Sequence, residues 1–398
     1  MLVMSPVLQF LFLVGKQKDK RKPVIQAFLE RRKKMKKAVV IGAGQTGRGF
    51  ITPILQKNEY QVTFIDKNGT LIKKLNDEKK YVIRFFGNQF DDIVIDEFNA
   101  FLNTQTEALN ALVEADIIVT SVFAQNLKDL VPLLKKVEGL RTLPMQIICA
   151  ENGVNIKKVL VDGLSRAIIT EGVIFCTTVQ PSIEDLDLEC EPVFSMPIDG
   201  SVENINIHIE GMPCDMNFKY LIQRKIYTYN FMSAVVSYLG WYKKYEFCAE
   251  SAIDKEINYI IYKLVGPLSE VIAKKFNITY EEQVSFTQRA IDKFSNPFIV
   301  DSLYRNVRQV SRKLGINERL LSPLSFMIEY GADYSLIKLV IASAIYYGLE
   351  NEELNDSVVY SNISSIGASD KDILDIKKYV NYFKDNISLG DLLCKEKL

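Results

Sequence analysis

The chain has 398 residues, 48% hydrophobic, 25% charged and 11% aromatic, which excludes disordered, collagen-like and disulfide-scaffold classes and leaves room for two domains. Its formal net charge is zero, but residues 1–37 carry 11 Lys/Arg against 2 Asp/Glu, leaving 38 against 47 in the remainder, and so acidic a body argues against a nucleic-acid binder. Six cysteines without a C-x-x-C pair and a single histidine, His208, exclude a zinc cluster set by spacing, and point to a reducing cytoplasm and metal-independent chemistry; the sequence leaves the oligomeric state open.

Residues 7–14 are apolar but too short to span a bilayer, and charges follow them instead of preceding them as in an export signal. The basic run Arg31, Arg32, Lys33, Lys34, Lys36, Lys37 suits an anionic partner; the plainer reading makes residues 1–34 a disordered or spurious extension upstream of a start at Met35. Neither export nor a membrane anchor is expected.

Ala38-Val39-Val40-Ile41 is a β-branched apolar run of the kind buried in a parallel sheet, and it leads directly into Gly42-Ala43-Gly44-Gln45-Thr46-Gly47. A helix to about Gln56 and a strand from Gln61 to Ile65, ending in Asp66, complete a βαβ unit with G-x-G-x-x-G at its strand-to-helix junction. Gly42 serves the tight turn, Gly44 lets the backbone approach a pyrophosphate, and Gly47 lets the helix pack on the strand. Gln45 and Thr46 lie in the loop that holds the pyrophosphate at the helix N-terminus. Asp66 is placed to accept bonds from the adenosine ribose and to repel a 2′-phosphate, which favours NAD over NADP, although Lys67 beside it is a cation that could meet that phosphate. Strands at 116–121 and 146–150, separated by a helix around 127–137, extend the doubly wound sheet. Glu151 and Asn152, just past the last of these, should face the nicotinamide end, or Asn152 is simply a turn residue before Gly153.

His208 lies in an alternating Ile205-Asn206-Ile207-His208-Ile209 run and reads as a solvated residue on the polar face of a strand. From about Pro213 the pattern turns helical, with Asp215 as N-cap and Gly240 as stop of a first long helix, then periodic stretches at 252–275, 281–293, 300–313, 320–330, 334–347 and 370–386. The expected fold is α/β: an N-terminal Rossmann-type doubly wound sheet over 35–212, followed by a mostly α-helical C-terminal domain over 213–398.

Gly42 to Phe50, read as G-x-G-x-x-G-R-G-F and continuing to Phe64-Ile65-Asp66, resembles the opening of the mannitol-1-phosphate 5-dehydrogenases, within the long-chain polyol dehydrogenase family. Glu151-Asn152 is similar to that family's E-N motif and Lys225-Ile226-Tyr227-Thr228-Tyr229-Asn230 to its K-x-x-x-x-N; Asn296-Pro297-Phe298, Arg305, Arg308-Gln309 and Arg312-Lys313-Leu314 keep its spacing. The likeness runs from Met35 to about Tyr347. It implies NAD-linked interconversion of a polyol or its phosphate with a ketose, without metal, through a lysine base and two asparagines. Lys225 is then the base, in a cleft that pulls its pKa toward neutrality, and Asn152 and Asn230 donate to the oxygen on which charge develops.

On a 3.6-residue helix, positions 225, 230 and 233 fall at about 0°, 140° and 80°, so Ser233 lies angularly between the two others, where the family has histidine. The family's V-D-R-I segment is replaced by Thr178-Val179-Gln180-Pro181-Ser182. Arg305, Arg308 and Arg312, spaced i, i+3, i+7, share one face of a helix, either as a salt-bridged surface stripe or with Arg305 and Arg308 taking the substrate phosphate beside Ser233. The resemblance implies a mannitol 1-phosphate/fructose 6-phosphate oxidoreductase. A keto-sugar-acid reductase and a catalytically silent NAD-binding paralogue remain alternatives.

Overall fold

A computed structural model describes residues 35–398 apart from Gln89, Asn152 and Val154. The extension expected over residues 1–34 lies outside the described residues. The strands that build the first half are β1 (Lys36–Ile41), β2 (Tyr60–Asp66), β3 (Tyr81–Phe85), β4 (Ile93–Ile95), β5 (Phe98–Leu102), β6 (Ile117–Thr120), β7 (Gln146–Cys149), β8 (Ile168–Glu171), β9 (Thr178–Val179) and β10 (Leu188–Cys190).

Six of them form one sheet in the order β5-β2-β1-β6-β7-β8, every pairing parallel. Alternate residues of β1 explain why the run shows no polar face: Ala38 and Val40 join the core on one side, with Phe64, Val119 and Ile148, while Val39 and Ile41 join the core on the other, with Ile65, Ile118 and Ile147. Helices α1 (Thr52–Lys57) and α2 (Gly69–Glu78) cover the first side; α3 (Thr106–Glu114), α4 (Leu127–Leu140) and α5 (Lys158–Gly163) cover the second. The winding reverses between β1 and β6, so a crevice opens at their carboxyl ends. A smaller sheet, β4-β3-β10-β9, mixes antiparallel and parallel pairs. It abuts the helical turn Gly47–Ile51 that leads into α1, at Gly49, where a Cβ would lie 2.6 Å from Thr178 and 3.0 Å from Leu188.

The second half is helical: α6 (Phe218–Tyr242), α7 (Cys248–Ile253), α8 (Lys255–Phe276), α9 (Tyr280–Ser295), α10 (Leu303–Val307), α11 (Val310–Lys313), α12 (Leu321–Tyr330), α13 (Ser335–Glu350), α14 (Asp356–Ser365), α15 (Asp370–Lys384) and α16 (Leu389–Glu396). From Phe231 to Gly240, α6 is buried on all sides, as is α13 from Leu336 to Gly348, so both are central helices around which the others pack. Each large aliphatic or aromatic side chain buried there contributes about 1.5–3 kcal/mol. No helix among the described residues is long and apolar enough to cross a membrane.

Several local expectations are corrected. Asp215 does not cap α6; the helix begins after Asn217, whose amide donates to the Asp215 carboxylate at 2.7 Å. Gly240 does not stop it either. The helix runs on to Tyr242, and the glycine instead lets α7 approach, since a Cβ there would sit 2.3 Å from Ser251 Oγ. The stretch at 252–275 contains a break at Asp254, which receives the amides of Glu256 and Ile257 and so starts α8. The stretch at 300–313 is not one helix: α10 ends at Val307, Arg308 is extended, and Gln309 has a φ of 61°. Residues 205–209 form no strand, yet their alternation survives, with Ile207 and Ile209 buried and His208 exposed.

Candidate active site

The turn after β1 is shaped by its glycines. Gly42 has a φ of +102°, and a Cβ there would lie 2.1 Å from Ser121 O at the end of β6. A Cβ on Gly47 would lie 2.2 Å from Gly42 O. Gly44 has nothing within 4 Å of its missing Cβ, so its face of the loop is open for a ligand to approach. Asp66, at the tip of β2, accepts from Ala43 N at 2.8 Å and from Asn68 N at 2.9 Å. It therefore fixes the loop, and each oxygen keeps a second lone pair for a hydroxyl.

Arg48 holds this loop from behind. It is 1% exposed, and it donates to Ala43 O at 2.8 Å, to Leu186 O at 2.5 Å and to Gln180 Oε1 at 2.8 Å, while Tyr81 Oη donates to Arg48 O at 3.0 Å. Burial pulls its pKa down, and Tyr81, Asp66, Asp185 and Asp187 oppose that pull. Gln180 thus gives the Thr178–Ser182 segment a structural part: it ties the small sheet to the loop. Spacing alone carries no signal for this contact, because the partners are 132 residues apart.

Lys225 lies in the second turn of α6 and is buried. Its Nζ donates to Ile174 O and stands 5.5 Å from the centre of the Phe175 ring, just beyond β8 at the carboxyl edge of the main sheet. Burial, and after it the charges of Lys293 and Arg319, push its pKa down to about 7. Asn230 is half-buried on the same helix. Glu151 is also buried; its carboxylate accepts from Val122 N at 2.6 Å, and burial raises its pKa to about 7. Asn152 lies outside the described residues.

Ser233 Oγ donates to Asn306 Oδ1 at 3.4 Å, and Asn306 donates in turn to Asp301 Oδ1 at 2.8 Å and to Ser302 O at 3.1 Å. Arg305 pairs with the same Asp301 oxygen at 2.9 Å and reaches Thr178 O at 3.5 Å. Ser233 and Arg305 are therefore joined in one network. Arg308 is exposed and lies 5.8 Å over the Tyr304 ring, and the break at Arg308 and Gln309 removes the single helical face expected for Arg305, Arg308 and Arg312. Two lysines, Lys313 buried and Lys293 half-buried, escaped sequence reasoning. Lys313 donates to Asn306 O, and burial, followed by Arg319 and Arg312, brings its pKa to about 7. Its signal was its place in Arg312-Lys313-Leu314. Lys293 pairs with Glu191 at 2.5 Å, a contact that no local pattern announces. No group of three or more His, Cys, Asp or Glu among the described residues could hold a metal ion.

A glycine-shaped crevice at the reversal point of a parallel sheet, closed by a helical domain that buries a lysine at the strands' carboxyl ends, defines the class of two-domain dinucleotide-linked dehydrogenases. Residues 36–203 match the family model for the mannitol dehydrogenase Rossmann domain and residues 217–378 that for the mannitol dehydrogenase C-terminal domain. The chain belongs to the mannitol dehydrogenase family of oxidoreductases. Similar sequences include the mannitol-1-phosphate 5-dehydrogenases of Caldanaerobacter subterraneus subsp. tengcongensis, 28% identical over 80% of this chain and 88% of that one, and of Lactococcus lactis subsp. lactis, 27% identical over 88% and 100%. Among solved structures, Pseudomonas fluorescens mannitol 2-dehydrogenase in ternary complex with NAD and D-mannitol shares the fold, with a TM-score of 0.72 at 14% identity over 90% of this chain and 94% of that one.

Proposed function

We propose that this protein interconverts a polyol phosphate and a ketose phosphate, mannitol 1-phosphate and fructose 6-phosphate, using NAD and no metal. The observation that carries the reading is Lys225: a buried lysine with its pKa near 7, on a helix that meets the carboxyl ends of the sheet strands. The residues at the loop fit a dinucleotide, because Gly44 leaves open the space that a pyrophosphate needs and Asp66, beside the loop at the tip of β2, keeps acceptor lone pairs for ribose hydroxyls. NAD supplies a hydride acceptor there. Neutral Lys225 takes the hydroxyl proton, and Asn230 with Asn152 donates to the oxygen as charge develops on it. Arg305, with Ser233 behind it through Asn306 and Asp301, is the favoured phosphate ligand; Arg308 is a second.

Mixing the protein and NADH with a panel of ketose phosphates and keto-sugar acids tests this directly. Cofactor oxidation by fructose 6-phosphate is expected. Oxidation only by a keto acid would favour the fructuronate-type reading, and tight NADH binding without turnover on any of them would favour the silent paralogue.

Two substitutions sharpen the assignment. Asp66→Ala removes both the ribose acceptor and the charge that repels a 2′-phosphate, so the preference for NADH over NADPH, measured as a ratio of kcat/KM values, should collapse toward unity. A wild type that uses both cofactors equally would contradict the role given to Asp66. Ser233→His restores a ring that can orient a substrate oxygen, and one such hydrogen bond should raise fructose 6-phosphate turnover by about tenfold. An unchanged or lower rate would mean that the Ser233 and Asn306 pair is already matched to this chain's own substrate.

A further inference from the structure

Lys225 does not stand alone on its strand. The carbonyl of Ile174 receives Lys225, and the next carbonyl, of Phe175, receives Lys293 from α9 at 2.7 Å. Lys293 is in turn held at 2.5 Å by Glu191, which follows β10, and the same Glu191 oxygen accepts from Thr177 N at 2.6 Å. The side chains of Lys293 and Glu191 are 13% and 11% exposed, so the pair is shielded from solvent. The Phe175 ring packs into the helical half, against Tyr229 of α6 at 5.3 Å and Phe286 of α9 at 6.1 Å. One short segment, 174–177, thus carries two lysines on successive carbonyls, and Glu191, which accepts from Thr177 N, pairs with the second.

We infer that Lys293, clamped by Glu191 across the domain interface, is a positioning residue that holds the 174–177 segment against Lys225 and biases Lys225 toward its neutral form. The inference rests on the reading of Lys225 as the base. The electrostatic reason is repulsion between like charges on adjacent carbonyls in a water-poor site. Other charged groups around Lys225 do not supply the same lever. Arg319 also repels it, but less strongly than Lys293, and its guanidinium is anchored to Glu318 at 3.4 Å, outside the 174–177 segment. Arg224, the neighbouring residue on α6, is turned to Glu282 at 2.8 Å, and Arg289 of α9 lies over the Phe286 ring at 5.4 Å. Lys293 ties its cationic charge directly to the segment that Lys225 itself binds.

The sign follows from the charges. Lys293→Met removes a cation and leaves Glu191 uncompensated; both changes favour charged Lys225, so its titration should move up by about 0.5 to 1 pH unit. Glu191→Gln leaves the Lys293 cation unbalanced and should move it down. Lys293→Arg keeps the charge and should leave it in place. These opposed shifts are a readout that a purely structural role would not produce. Two measurements on the full-length protein separate the inference from the reading beneath it. Lysine-labelled NMR, with the Lys225 signal assigned by its absence in Lys225→Ala, follows the titration without need of turnover, and the pH profile of kcat is recorded on the same variants. A Lys225 titration unmoved in both Lys293→Met and Glu191→Gln overturns the inference. A titration that moves as stated while the activity limb stays where it was upholds the coupling and removes Lys225 as the base.

Discussion

Lys225→Ala is expected to lower polyol-phosphate oxidation by about 10² to 10⁴, the range for loss of a general base, while NADH affinity stays at the wild-type value. The split follows from position: Lys225 is fixed to Ile174 O beyond β8, whereas the glycine loop lies beyond β1, and the two lie on opposite sides of β6 and β7 in the sheet order. The pH dependence carries a definite sign. Burial lowers the Lys225 pKa to about 7, so the neutral amine that accepts a hydroxyl proton builds up as pH rises through 7. Oxidation should climb through that range and level off above it; ketose reduction, which needs the ammonium to return a proton, should fall over the same range. In Lys225→Ala both limbs should vanish. Stopped-flow rates across pH 5.5 to 9, with NADH binding followed by fluorescence, check both halves, and a variant that keeps wild-type rates would remove the mechanism.

The second large effect is expected in stability. Arg48→Met fills much of the same volume but withdraws the donors from Ala43 O, Leu186 O and Gln180 Oε1, leaving buried acceptors without partners. Each buried acceptor left unpaired costs about 1–3 kcal/mol. Urea unfolding should show that loss as an earlier midpoint. NADH affinity should fall with it, because the loop from Gly42 to Gly47 loses the guanidinium that binds Ala43 O and keeps only the Asp66 bond to Ala43 N. A variant with unchanged midpoint and affinity would show that the small sheet and the loop are held by other contacts.

These two residues differ in how far the sequence alone discloses them. Lys225 stands out only through the resemblance of its K-x-x-x-x-N to the family motif, and its helix was legible because the stretch between Asp215 and Gly240 is long, amphipathic and free of proline and glycine. Arg48 is part of a readable motif, but its role needs Leu186 and Gln180, which reach it only when the small sheet folds back. That sheet escaped notice for a related reason. Its strands are two to five residues long and pair at long range, as in Ile83 with Leu188, so their hydrogen bonds leave no local period. The break at Gln309 is another such case: its amide, released from the helix ladder, is received by Glu353 at 3.1 Å, a residue 44 positions away. Asp254 was different, since an Asp just ahead of Lys255 and Glu256 is a cap signal that local reading could have used.

What the sequence by itself determined is whatever lies within one unit of structure: the apolar β1 run, the glycines of the turn after it, Asp66 at the end of β2, and the helical character of the second half. These depend on backbone geometry and on burial patterns that repeat every two or every 3.6 residues, and such patterns are written locally. Tertiary structure decided the chemistry. Lys225 is an ordinary helix lysine until Ile174, Phe175 and Lys293 close over it, and its pKa falls to about 7 because residues distant in the chain remove its water and add a like charge.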